Sequence, residues 1–201
     1  SDLDKEKSNV TIIDLSGIPF EVLNFTVALI SRLVFSFCYY WKKWNDSTNT
    51  DALVKNPFLV VYEEAHNYIP KTEDAKYRSV REVVERIAKE GRKYGLSAMI
   101  VSQRPSEISE TILSQCNSFV IMRITNPTDQ SYIRRLLPDT LSGVTDNLSM
   151  LQPREALIIG EAIPVPTIVK VNKVDEDKLP KSVDVPFIEK WRMDWDNLTE
   201  I

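Results

Sequence analysis

The hydrophobic pattern of the chain switches between two periods. Short apolar runs rich in Val, Ile, Phe and Tyr stand at 10–13, 58–62, 96–101, 118–123, 155–159 and 167–171, and each predicts a strand. The run at 58–62 is apolar throughout rather than alternating, which predicts a strand buried on both faces. Between these runs the period becomes helical. Val80, Val83, Val84, Ile87 and Ala88 follow i, i+3, i+4, i+7, i+8 and predict the buried stripe of a helix over 75–93. Its other face carries Arg78, Arg81, Glu82, Glu85, Arg86, Lys89 and Arg92, with Glu82–Arg86 and Glu85–Lys89 spaced for ion pairs. Gly91 and Gly95 end it. Shorter helices are expected over 109–115 and 129–137, the second capped by Asn126-Pro-Thr-Asp129. A helix over 20–44 is apolar nearly all round, as expected of one packed between a sheet and something else, a neighbouring subunit included. It leads into a polar loop at 45–51. Strands alternating with helices predict an α/β fold with a mostly parallel sheet and helices on both faces.

Composition changes this picture little. A chain of 201 residues, 43% hydrophobic and 27% charged, makes one large domain or a domain with an extension, divided here as 1–163 and 164–201. The tail contains Trp191 and Trp195, one helical turn apart. A net charge of −4 argues against a free-standing basic nucleic-acid binder but not against a ring whose inner surface alone is basic. Cys38 and Cys116 are far apart and lack metal spacing, which predicts reduced thiols in the cytoplasm. The first eight residues are charged and polar, unlike a signal peptide. Asn24, Ser31 and Arg32 interrupt the apolar stretch at 22–40, and Arg32 at mid-bilayer would cost ~3 kcal/mol. A core helix is predicted there, and no membrane partner.

The candidate chemistry begins where the run at 58–62 ends, in Glu63 and Glu64. A buried strand ending in paired acids delivers negative charge to the carboxyl edge of a sheet, where open α/β folds bind ligands. A nucleoside triphosphatase uses one such acid to help hold Mg²⁺ and the next to orient or deprotonate the attacking water. An acidic surface turn would read the same way. No G-x-x-x-x-G-K-[ST] occurs in the 201 residues, and five glycines leave room for no hidden phosphate loop. The chain is therefore either not an NTPase or the back half of one, and by itself it is not expected to hold a triphosphate tightly.

Several segments in order resemble one family. Val60-Val-Tyr-Glu-Glu-Ala-His-Asn67, Ile87-Ala-Lys-Glu-Gly-Arg-Lys-Tyr-Gly-Leu96 and Met99-Ile-Val-Ser-Gln-Arg-Pro105 are similar to the HerA group of the HerA/FtsK ATPases. Thr11-Ile-Ile-Asp-Leu-Ser-Gly17, Thr125-Asn-Pro-Thr-Asp129 and Pro153-Arg-Glu-Ala-Leu-Ile-Ile-Gly160 match in type and order, so the likeness covers about 10–171. The resemblance implies the C-terminal part of a RecA-like P-loop NTPase domain, with a C-terminal extension that packs on a neighbouring subunit or folds back on its own. It implies a homohexameric ATPase that moves along double-stranded DNA, with ATP and Mg²⁺ as cofactors. Without the Walker A segment, the 201 residues alone are expected to be inactive. A NurA-like nuclease or a Sir2-like or other defence effector is the implied partner, in DNA end processing or antiviral defence.

By the same resemblance Glu63 is the Walker B acid on the metal side, acting on Mg²⁺ indirectly, and Glu64 is the catalytic acid. Gln103 stands where the family reads the γ-phosphate; a strand-end hydrogen bond is the plainer alternative. Arg92 matches the arginine finger that reaches a neighbour's nucleotide, and its i−4 position holds Ala88, not an acid. Arg104 and Arg123 are further candidates for a phosphate or intersubunit contact. Lys71, Lys76 and Arg78 are candidates for lining a DNA pore, or equally a solvated face. His66, the sole histidine, builds no metal site and reads as packing or as a contact to Glu64. Two other classes stay open: a non-catalytic ATPase-like scaffold ring that assembles an effector, and a conjugation- or secretion-type ATPase.

Overall fold

The computed structural model describes residues 9–48, 57–72, 74–137, 143, 148–175, 178 and 187–192. Its first element is helix α1 (Phe20–Thr48), four residues longer at its carboxyl end than the hydrophobic pattern predicts. Strand β1 (Phe58–Tyr62), helix α2 (Ala75–Glu90) and strand β2 (Leu96–Ile100) follow as a βαβ unit, and β1 and β2 pair in parallel from Phe58↔Leu96 to Tyr62↔Ile100. A short helix α3 (Glu110–Leu113) leads to strand β3 (Ser118–Ile121). Helix α4 (Pro127–Leu136) is capped by Asn126, whose side chain accepts from the Thr128 amide at 2.8 Å. Strands β4 (Glu155–Gly160) and β5 (Thr167–Lys170) complete a three-stranded sheet of order β3-β4-β5, antiparallel throughout. A last helix, α5 (Phe187–Trp191), is short, and Trp195 lies outside the described residues.

The class is α/β, as the alternation of strands and helices predicts, but the pairing is less parallel than expected. Six residues join β4 to β5, too few for the dozen or more that a parallel crossover needs, so the two strands fold back on each other. The run at 10–13 forms no strand. Ile12 is 87% exposed.

Two apolar clusters hold these sheets. The larger joins Val27, Ala28, Phe35 and Cys38 of α1 to Val80, Val83, Val84 and Ile87 of α2 over Tyr62 and Leu96. The α2 stripe is therefore buried as its period predicts. The smaller gathers Ile121, Leu148, Leu151, Leu157 and Ile159. Helix α4 bridges the two, with Tyr132 in the first, Ile133 in the second and Leu136 packed against both.

The expectation that β1 is buried on both faces fails. Tyr62 is buried, yet Leu59 is 58% and Val61 47% exposed. Helices α1 and α2 cover one face only, and among the described residues nothing covers the other. Helix α1 is also half covered. Val22, Phe25, Leu29, Leu33, Phe37, Tyr40 and Trp44 form an exposed apolar stripe along it. By length and composition this helix is long and apolar enough to cross a membrane, while its opposite side packs in the larger core. On α2 the expected Glu82–Arg86 pair is not formed. Glu82 accepts from Arg78 at 2.8 Å, and Arg86 turns to Glu90 at 3.6 Å with its guanidinium 4.4 Å from the Phe35 ring centre. Stacking on an aromatic face rewards a planar cation more than one exposed ion pair does. The predicted Glu85–Lys89 pair is present at 3.3 Å.

Candidate functional site at the carboxyl edge of the parallel pair

Parallel pairing brings the carboxyl ends of β1 and β2 side by side, so the residues that follow each strand meet. The ladder continues one step beyond each strand. Val101 N–H donates to the Tyr62 carbonyl at 3.0 Å, and Ala65 N–H donates to the Val101 carbonyl at 3.0 Å. To make that second bond the chain must turn sharply between Tyr62 and Ala65, and Glu64 takes the left-handed conformation, φ 48° and ψ 44°. For a glutamate this costs ~1–2 kcal/mol. A 3₁₀ turn, Ala65–Asn67, follows. Tyr68 braces the outer side by donating its phenol proton to the Glu63 carbonyl. Burial is the main influence that pushes the Tyr68 phenol well above its ordinary range, with the charges of Tyr62, Glu63 and Glu64 adding to it, so the donor keeps its proton.

The two neighbouring acids end in different surroundings. Glu64 Oε1 accepts from Gln103 Nε2 at 2.8 Å, and Oε2 lies 3.4 Å from His66 Nδ1. Glu63 is exposed, and its carboxylate makes no hydrogen bond or ion pair among the described residues. No group of three or more His, Cys, Asp and Glu side chains gathers there into a metal cage. A lone free carboxylate does fit Mg²⁺, which takes one or two carboxylates and fills its other positions with water and phosphate oxygens.

Behind this edge the loop after β2 is fixed to the rest of the fold. Ser106 N–H donates at 3.0 Å to the carboxylate of Asp129, which is buried at the start of α4. Ser102 Oγ accepts from Arg104 N–H at 2.9 Å, and Arg104 itself reaches Glu107 at 3.1 Å. The backbone around Pro70 runs antiparallel to that around Ile108, and Ser109 N–H donates to the Ile69 carbonyl at 3.1 Å. The loops that carry the two acids and Gln103 are thereby tied together.

Glu63, Glu64, Gln103 and Arg104 thus share one edge, and Arg92 does not. It sits in the turn Gly91–Tyr94 before β2, at the amino end of the strands, ~16 Å of strand rise from Glu64. It is exposed, and its side chain makes no hydrogen bond or ion pair among the described residues. Arg123 follows β3 in the other sheet and is also exposed. Lys71 and Arg78 line one cleft of about 410 Å³, while Lys76 does not line it and lies over the Tyr77 ring instead. Arg81 joins that cleft, but so do Glu82, Glu85 and Glu110, so three cations face three anions. The pattern of residues had not singled out Ser102 or Tyr68. Ser102 sits beside Gln103 at the strand end, which is a usable signal; nothing in the sequence marks Tyr68.

Comparison with known proteins places the chain among relatives. No protein-family model matches the chain. It is 33% identical over 183 residues to the DNA double-strand break repair helicase HerA of Sulfolobus acidocaldarius, covering 91% of this chain and 35% of that protein. It is 35% identical over 191 residues to the protein of the same name in Sulfurisphaera tokodaii, covering 94% of this chain and 37% of that one. Against the Pyrococcus furiosus HerA it is 40% identical over 120 residues, which are 60% of this chain and 21% of that protein. The chain is HerA-like. It spans between a fifth and two fifths of the length of the curated relatives it matches. Among solved structures, the genome packaging NTPase B204 of Sulfolobus turreted icosahedral virus 2 with ATP-gammaS superposes with a TM-score of 0.47 at 13% identity, over 65% of this chain and 60% of that one. In the HerA-like chain Glu63, Glu64 and Gln103 stand together at the carboxyl edge of the parallel pair.

Proposed function

We propose that this chain supplies the water-activating side of an ATP-driven DNA translocase or helicase of the RecA-like kind, working as a homohexameric ring. The observation that carries the reading is Glu64, held in a costly left-handed turn at the carboxyl edge of the parallel pair with Gln103 on one carboxylate oxygen. Strain of this kind persists where the surrounding structure enforces it, and it is concentrated at functional sites. The likeness to HerA helicases over nine tenths of the chain supports the same conclusion.

In this reading Glu64 takes the proton of the attacking water, or aims it, at the γ-phosphate of ATP. Gln103 keeps the carboxylate in place and senses the phosphate through its amide. Glu63 is the free acid on the Mg²⁺ side, and the metal, when bound, neutralises charge on the phosphate oxygens. Arg92, turned away from its own chain's acids, completes the neighbouring subunit's site, where a guanidinium stabilises the charge of the transferring phosphoryl. Arg104 and Arg123 are secondary phosphate or subunit contacts. The phosphate cradle comes from sequence outside these 201 residues. Double-stranded DNA is the track, and Lys71 and Arg78 are its nearest candidates in this chain, though the balanced cleft makes them weak ones. A nuclease or defence effector acting beside the ring, inside the cell, completes the proposal.

The test is ATP hydrolysis by the full-length parent protein, with and without duplex DNA, unsubstituted, as Glu64→Gln, as Arg92→Ala, and with the two variants mixed. DNA-stimulated turnover lost in each variant and partly restored by mixing is the expected result. Turnover indifferent to both changes removes these residues from the site and favours a scaffold ring.

A further inference from the structure

His66 is the only histidine in the chain, and its ring stands between two polar groups at the carboxyl edge. Nδ1 lies 3.4 Å from Glu64 Oε2 and 3.0 Å from Ser102 Oγ, with the side chain 14% exposed. The proton on this nitrogen decides what the contact does. A bare Nδ1 would point its lone pair toward a carboxylate oxygen, which is repulsive, although the Glu64 side chain is 45% exposed. A protonated Nδ1 donates to Ser102 Oγ and turns its positive N–H end toward Glu64 Oε2 at 3.4 Å. Ser102 accommodates the second arrangement. Its hydroxyl oxygen has two acceptor positions; one takes the Arg104 amide at 2.9 Å, and the other is open to the imidazole N–H.

Glu64 is then held at both oxygens from two different segments. Gln103, beyond the end of β2, donates to Oε1, and His66, in the 3₁₀ turn after β1, faces Oε2. Such a double hold matters at this position. The backbone of Glu64 is in the left-handed region, and its long side chain is 45% exposed, so contacts at the carboxylate help select its rotamer.

We infer that His66 is a positioning residue: its Nδ1–H, braced by Ser102, fixes Oε2 of Glu64 while Gln103 fixes Oε1, and together they set the plane of the carboxylate. The consequence for turnover rests on the ATPase reading above; the contact geometry does not.

A single histidine makes the first measurement clean, because the imidazole ¹⁵N spectrum of the whole chain contains one ring. Nδ1 carrying the proton at neutral pH is the expected result, and a bare Nδ1 overturns the inference. Turnover is then measured in the full-length parent protein for His66→Ala, His66→Asn and His66→Gln. The asparagine amide puts an N–H where Nδ1–H stood, whereas glutamine reaches toward the position of Nε2. His66→Ala and His66→Gln are expected to lower kcat about tenfold with nucleotide affinity within about twofold, and His66→Asn to recover most of it. Equal kcat in the alanine and asparagine variants points to packing alone and overturns the inference. Glu64→Gln, run alongside, separates the two ideas. Turnover lost in Glu64→Gln but unchanged in His66→Ala sinks the role of His66 and leaves the ATPase reading standing. Turnover untouched by Glu64→Gln sinks the ATPase site, while the spectrum still decides the contact.

Discussion

The parallel pair β1–β2 and the antiparallel sheet β3–β4–β5 are built from similar apolar runs, yet only the first gathers chemistry at one edge. In the parallel pair both strands end on the same side, so Glu64, His66, Ser102 and Gln103 converge although 36 and 39 residues separate the contacting pairs. In the antiparallel sheet each strand end meets its neighbour's beginning. The polar groups there serve the turns: the Gln152 amide donates to the Glu155 side chain, and Ser118 Oγ accepts from the Ala162 amide. Direction of pairing, more than residue content, separates a site from a scaffold.

Two glycines give the strongest way to break this comparison. Gly160, at the end of β4, has φ 111°, and an added Cβ would stand 2.1 Å from the Asn117 carbonyl oxygen. Gly91, at the end of α2, would bring a Cβ within 2.4 Å of the Leu96 carbonyl oxygen, at the start of β2. Both contacts are with backbone, which cannot turn aside. Gly160→Ala combines strain and collision and is expected to cost ~3–4 kcal/mol, and Gly91→Ala ~2–3 kcal/mol, read from urea midpoints. Because α4 packs in both cores, one shared transition is expected to move in each variant. Two separate transitions, each sensitive to one glycine, would show that the sheets unfold independently.

A smaller effect sharpens the functional half of the contrast. Gln103→Leu removes the donor to Glu64 Oε1 from an exposed position. It is expected to lower ATP turnover about tenfold with stability unchanged within ~0.5 kcal/mol. An equal loss of stability would make Gln103 part of the scaffold.

The buried bond between Ser31 Oγ and Tyr62 Oη, 2.9 Å long, ties α1 to the last residue of β1. Ser31→Ala leaves the phenol unpaired in the core and is expected to cost ~1–2 kcal/mol in the same denaturation experiment. The smallest effect is with pH. Burial raises the Tyr68 and Tyr62 phenols above their ordinary value in the folded chain. Above pH ~10 the unfolded chain releases these protons while the folded chain retains them, so stability falls as pH rises. Tyr68→Phe is expected to flatten that alkaline decline, with Tyr62 keeping part of it. A decline of unchanged slope would mean that Tyr68 is already ionised in the folded protein.

The α2 stripe and the Asn126 cap were legible in the sequence because period and capping are local properties. The run at 58–62 forms a strand, as its composition predicts, but one face of it stays exposed. Its composition reports that the side chains are apolar, but a second layer must come from elsewhere in space. The same reason explains why the apolar run at 10–13 forms no strand. On α2, Glu82 and Arg86 have ideal spacing, yet the Phe35 ring from a distant helix redirects the arginine.

For the candidate site, the order of motifs by itself determined that Glu63 and Glu64 follow a strand, that Gln103 follows another, and that the chain is HerA-like. Only tertiary structure decided which acid is held and which is free. Adjacent residues in a left-handed turn point apart, so one carboxylate met Gln103 and His66 while the other was left to solvent. Tertiary structure likewise put Arg92 at the far end of the strands. Sequence records neighbours along the chain; hydrogen bonds form between neighbours in space, and strand pairing sets which those are.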